Sequence, residues 1–228
     1  PSIGTPVKKR NALLTLFWLA LLAGLAYFGH MFWAGMQVHE VPTPLPDQAD
    51  QVAPDNQGPV GPQGDDDHMA KMKPMSVYVP AVGLYSPLDS TKQFVPSSRS
   101  NFNTIDVPND PPIGVWYSKG SPLVGGADGY TTLAGHVSYN GTVGTFAPLY
   151  KTKPGNIVWT MDKTGQAQKW QVERIYARKH RAFPQEYWNV KPKGSTAPLP
   201  RRLVMVTCGG EIIDGHFEYN IFVVAHQV

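Results

Sequence analysis

The chain has 228 residues, 42% hydrophobic and 16% charged, enough to bury a full core in one or two domains. Its 22 glycines and 22 prolines argue against a helical bundle and for short strands joined by turns. The formal charge of +3 is mild, and the basic residues between 151 and 202 form no dense run, so charge gives no reason to expect a nucleic-acid partner.

Residues 12–36 form an apolar run longer than the ~20 residues a helix needs to cross a bilayer. Residues 37–40 offer no small-residue cleavage site, so the run reads as an uncleaved anchor rather than a signal peptide. Lys8, Lys9 and Arg10 precede it while Glu40 and Asp47 follow, which predicts residues 1–11 in the cytoplasm and everything after the span outside. His30, beside Phe32 and Trp33 at the outer end of the span, reads as a structural interfacial group. Residues 37–74 are rich in Pro, Gln, Asp and Gly and predict an extended, flexible stalk. Within it, Asp65-Asp66-Asp67-His68 reads as a solvated acidic patch, because the surrounding chain gives ligands no fixed geometry.

Folding is expected from Met75 to the C-terminus. Alternation predicts strands at 76–84 and near 104–107, 130–135, 156–161, 168–178, 202–208 and 219–226, with short helical turns at 143–150 and 185–189. Asn140-Gly141 is the clearest turn. These elements sum to a closed or nearly closed, antiparallel-rich all-β barrel of about 150 residues, an ordinary size for one domain.

The chain's only cysteine, Cys208, follows the apolar stretch Leu203-Val204-Met205-Val206-Thr207 and precedes Gly209-Gly210. It is therefore expected at a strand's end, facing the same way as Val204 and Val206, with an open rim at the glycines. A cysteine on the outer side of a membrane with no partner in its chain reads as a reactive thiol or an intermolecular bridge at least as readily as a buried small hydrophobe. A nucleophilic thiol needs a base or cation beside it, because at an unperturbed pKa of about 8.5 little of it is thiolate at neutral pH. His30, His39, His68 and His180 fall in the span, the stalk or a basic loop, leaving His136, His216 and His226. His136 mirrors the setting of Cys208, since it ends the strand Tyr130-Thr131-Thr132-Leu133-Ala134 after a glycine. The scattered Asp106, Asp110 and Asp128 do not make a calcium site, and no metal or organic cofactor is expected.

Thr132-Leu133-Ala134-Gly135-His136 together with Val206-Thr207-Cys208 resembles the paired signatures of sortases, the membrane-anchored cysteine transpeptidases of Gram-positive bacteria. The likeness extends to residues 76–88, to Val115-Trp116-Tyr117 and to Gly144-Thr145-Phe146-Ala147-Pro148-Leu149. Thr207-Cys208-Gly209-Gly210 and residues 220–225 resemble the class F variety, with class E next. The resemblance covers 75–228 and implies a closed sortase-type barrel of about eight strands with short helices. It implies that Cys208 attacks an LPXTG-like sorting signal on another exported protein, with His136 as acid and then base. The acceptor it implies is an amine from a peptidoglycan precursor or a pilin.

Sortases also use an arginine on the strand after the cysteine, and none lies between Cys208 and the C-terminus here. Arg181, ahead of Phe183-Pro184, is one candidate substitute; His216 and Tyr219 are the others, and the Thr207 region is the candidate source of oxyanion donors. Arg202, six residues before Cys208 at about 3.3 Å per residue, is too far away to serve. Two other readings stay open: a cysteine hydrolase that transfers nothing, and a non-catalytic anchored binding module.

Overall fold

The computed structural model describes residues 18, 21–24, 51–52, 69, 71–91, 94–96, 103–105, 107, 109–179, 184–191 and 193–228. The chain divides into two units, Pro1–His39 and Glu40–Val228. In the first, Trp18 and residues 21–24 are helical. Among the described residues no helix is long and apolar enough to cross a membrane, and most of the expected span at 12–36 lies outside them.

The second unit is a barrel of eight strands. They are β1 (Ser76–Val79), β2 (Leu84–Thr91), β3 (Gly114–Tyr117) and β4 (Tyr130–Ala134), followed by β5 (Ile157–Met161), β6 (Ala167–Lys179), β7 (Arg202–Ile213) and β8 (His216–Gln227). Around the ring the order is β6-β5-β1-β2-β3-β4-β7-β8, and pairing of β8 with β6 closes it. β2–β3 and β4–β7 are parallel; the other neighbours are antiparallel. The expected closed all-β barrel with short helices is therefore present.

Side chains alternate between two cores. Inside the barrel lie Val77, Leu84, Leu133, Leu203, Met205 and Val223, each fully buried and each contributing about 1.5–3 kcal/mol by leaving water. Outside, Val204, Val206, Phe222, Val224 and Tyr176 form a second apolar layer, roofed by Tyr187 and Trp188 from the 3-10 turn Gln185–Trp188. The roof is tied down by polar bonds as well. Thr132 Oγ1 donates to the Tyr187 carbonyl, and Asn189 copies a strand neighbour by accepting from Tyr130 N–H at 2.6 Å and donating to its carbonyl at 2.9 Å.

Several expectations need correction. The strand expected over 76–84 is split, because Pro80 lacks an N–H for a ladder and opens the 3-10 turn Pro80–Val82 instead. The strand expected near 104–107 is a short hairpin of Phe94–Pro96 with Asn103–Ile105, paired apart from the barrel. Gly209-Gly210 does not end β7. The register shifts there by a bulge, with Gly210 at φ 83, and the strand resumes to Ile213. The stalk expected over 37–74 is also partly engaged. Gln51–Val52 pairs with Ile175 and Arg174 of β6, beyond Gln171 where β5 stops pairing, and Met69 and Met72 pack on the outer face of β5 against Trp159.

One buried cation organises the barrel end opposite the Cys208 end. Arg201, 9% exposed, stacks on Trp170 at 4.6 Å and donates to Gly125 O (2.9 Å), Pro122 O (2.8 Å) and Thr131 Oγ1 (2.7 Å). Burial pulls its pKa down to about 10, so it stays cationic at neutral pH and holds the loop between β3 and β4. Arg201→Met leaves those acceptors unpaired and is expected to cost about 3 kcal/mol, which in a domain of this size is a Tm drop of roughly 8 °C in a thermal melt.

Candidate active site

β4 ends at Ala134, and two glycines shape the chain just beyond it. A Cβ on Gly135 would meet Phe146 Cδ2 at 2.2 Å, and one on Gly144 would meet the His136 carbonyl oxygen at 1.9 Å. The chain around His136 thus passes where only glycine neighbours fit. Gly144 N–H donates to Val137 O at 2.9 Å, closing the small hairpin of Ser138–Tyr139 and Thr142–Val143. Its turn is the expected Asn140-Gly141, with φ values of 49 and 74. The imidazole of His136 lies against Tyr139, with ring centroids 4.9 Å apart.

β7 runs parallel to β4, pairing Val204 with Thr132 and Val206 with Ala134. Two bonds carry the contact past the end of β4: Gly135 N–H donates to Val206 O at 3.2 Å, and Thr207 Oγ1 donates to Gly135 O at 2.8 Å. Cys208 and His136 each stand two residues beyond the Val206–Ala134 pair. Cys208 continues the outward-facing set of β7, while His136 follows the end of the adjacent strand β4. Cys208 is half-buried, with its rim set by the bulge at Gly210.

The row continues across two more strands. Cys208 pairs with Asn220 of β8, and Asn220 pairs with Arg178 of β6. Directly opposed residues share a face, so the order Cys208, Asn220, Arg178 runs along the outer surface. One step behind it runs the apolar row Ala134, Val206, Phe222, Tyr176. Tyr176 stacks on Phe222 with centroids 5.2 Å apart and carries the Arg178 guanidinium at 5.4 Å on its ring. Arg174 is held by the Tyr187 hydroxyl at 3.0 Å. Burial pushes the Tyr176 and Tyr187 phenols above their usual range, and the two hydroxyls are hydrogen-bonded to each other, so this prop beneath Arg178 is neutral.

Of the residues singled out in the sequence, Cys208 and His136 each lie two residues beyond the last paired residues of adjacent strands, Val206 and Ala134. Thr207 is 3% exposed, points inward and uses its hydroxyl to tie β7 to Gly135. His216 is exposed and opposite Ile213, four residues along β8 from Asn220, about 13 Å at strand spacing. Tyr219 lies opposite Gly209 with the Lys179 ammonium 5.9 Å from its ring centroid. Arg181 lies outside the described residues. Arg178, at the end of the strand expected near 168–178, lies in β6 and, like Asn220, was passed over as a site residue. The available signals were the alternation of Arg174, Tyr176 and Arg178, and one amide heading the apolar run Ile221-Phe222-Val223-Val224. Among the described residues, no three His, Cys, Asp or Glu side chains are grouped to hold a metal.

No curated protein matches the chain by sequence. Among solved structures it is similar to sortase C-1 of Actinomyces oris, at 18% identity over 73% of this chain and 83% of that one, with a TM-score of 0.48. It is also similar to sortase C-1 of Streptococcus pneumoniae, at 13% identity over 68% of this chain and 66% of that one, TM-score 0.47. For sortase C1 of Streptococcus agalactiae the figures are 15%, 67%, 66% and 0.48. The chain thus spans slightly less than two thirds of the length of either streptococcal structure. The sortase-domain family model matches residues 78–228, which takes in the barrel from within β1 onward and both His136 and Cys208. The chain belongs to the sortase family.

Proposed function

We propose that this sortase is a cysteine transpeptidase that cleaves an LPXTG-like signal after its threonine and joins the acyl fragment to an amine of a peptidoglycan precursor or a pilin. The observation that supports this reading is the Val206–Ala134 pairing, beyond which Cys208 and His136 each follow by two residues. The Cys208 thiolate attacks the threonine carbonyl, forming a C–S bond and a tetrahedral oxyanion. Collapse breaks the C–N bond, and the His136 imidazolium gives its proton to the departing glycine amine. An incoming amine then attacks the thioester, loses a proton to His136 and releases the thiolate as the C–S bond breaks. In place of the arginine expected on β8, we assign the cationic role to Arg178, two strands from Cys208 and supported on Tyr176.

Residues 12–36, behind Lys8, Lys9 and Arg10, support a single-span anchor with the barrel outside. Retention of the full chain in the membrane fraction, lost when 12–36 is deleted, checks that part.

The test of the chemistry is intact-mass spectrometry after mixing the protein with an LPXTG-type peptide. A thioester adduct on Cys208 is expected, disappearing as a ligated product forms when a primary amine is added. Arg178→Gln is expected to acylate roughly 10²-fold more slowly. A protein that never carries the adduct sinks the reading, and one that releases only acid with amine present is a hydrolase.

A further inference from the structure

We infer that Asn220 is a further catalytic residue, whose side-chain amide donates a hydrogen bond to the acyl oxygen while it carries negative charge. The inference rests on the thioester reading above. Asn220 is 6% exposed and heads an otherwise apolar run on β8, a setting in which a polar side chain normally has an internal partner. Its direct cross-strand neighbours are Cys208 and Arg178; along its own face lie Phe222 and Glu218, whose carboxylate is paired with Lys179 at 3.1 Å. An amide held in this nearly buried stretch of barrel wall meets a group that arrives with the substrate with little water between them.

The position selects the group. Asn220 is the direct cross-strand partner of Cys208, so their Cβ atoms lie roughly 5 Å apart on one face. An acyl carbon bonded to Sγ therefore brings its oxygen over the Asn220 amide, with the Arg178 cation on the far side of the same residue. Thr207, the neighbouring hydroxyl, is turned inward and donates to Gly135. The Asn220 N–H₂ is a donor at every accessible pH, and its place in the middle of a closed barrel wall fixes it before the charge develops, which is what makes such a donor effective.

Asn220→Ala and the same-shaped Asn220→Asp remove the donor in two ways, and a thermal melt identifies whichever is folded. The rate of thioester formation with an LPXTG-type peptide is expected to fall roughly 10²–10³-fold with little change in KM. Alkylation of Cys208 by iodoacetamide, which forms no oxyanion, is expected to stay within about twofold of wild type in Asn220→Ala. Acylation within threefold of wild type in a folded variant overturns the proposal, as does a parallel fall in acylation and alkylation, which marks a thiol-positioning role. A wild-type chain that is alkylated but never acylated instead overturns the thioester reading, and this inference with it.

Discussion

Cys208→Ala and His136→Ala are each expected to lower transpeptidation by at least roughly 10⁴-fold, and the double variant to be no worse than the poorer single one. The reason lies in how the two groups are held. Each follows by two residues the Val206–Ala134 pair of parallel strands, where the chains are joined by Gly135 N–H to Val206 O and by Thr207 Oγ1 to Gly135 O. In the proposed cycle neither group acts without the other: the thiol attacks only as the thiolate, and the amide leaves only with a proton. Removing one therefore strands the other, so the losses do not add. Cys208 is half-buried and makes no part of either apolar core, so alanine there is expected to leave the melting temperature within about 2 °C of wild type. Ligation of peptide to amine by Cys208→Ala is the result that overturns the assignment.

How much of this could be read beforehand depends on the range over which each feature is encoded. Alternation is local, so the sides taken by Val204, Val206 and Cys208 were legible in β7, as was the Asn140-Gly141 turn. The opposition of Cys208 to Asn220, and of Asn220 to Arg178, depends on register between strands separated by 12 and 42 residues, and no spacing within one strand states that. The double glycine misled for a related reason. A glycine pair normally punctuates a strand, but β8 pairs on both sides of Gly210, so the extra residue is absorbed as a bulge and the strand continues. Arg178 falls at the end of the strand expected near 168–178, beside the basic run Lys179-His180-Arg181, which hides its partner. That partner is Asn220. The short pairing of Gln51–Val52 was hidden by composition, since a proline-rich stalk has no pattern that announces which exposed edge will capture it.

The two glycines beside His136 carry the other large effect. Gly144→Ala is expected to lower transpeptidation roughly 10²-fold and stability by about 1–3 kcal/mol, and Gly135→Ala to do nearly the same. In Gly144→Ala the new methyl would lie 1.9 Å from the His136 carbonyl oxygen and 2.6 Å from its carbonyl carbon. Backbone cannot rotate aside as a side chain can. The strand end and the hairpin must part, and the hydrogen bond from Gly144 N–H to Val137 O opens with them. The imidazole moves with its backbone, and a shift of about 1 Å in a proton donor is enough for the rate loss given. In Gly135→Ala the obstacle is the buried ring of Phe146 at 2.2 Å, and its displacement opens the interior core as well. The two variants are therefore expected to separate under one comparison: both lose acylation of Cys208 by peptide, while Gly135→Ala has the lower melting temperature. Alkylation of Cys208 by iodoacetamide reports on the thiol's own strand and is expected to persist in Gly144→Ala. A Gly144→Ala variant that acylates at the wild-type rate shows that the carbonyl of His136 yields without moving its ring, and removes the backbone argument for how this histidine is aimed.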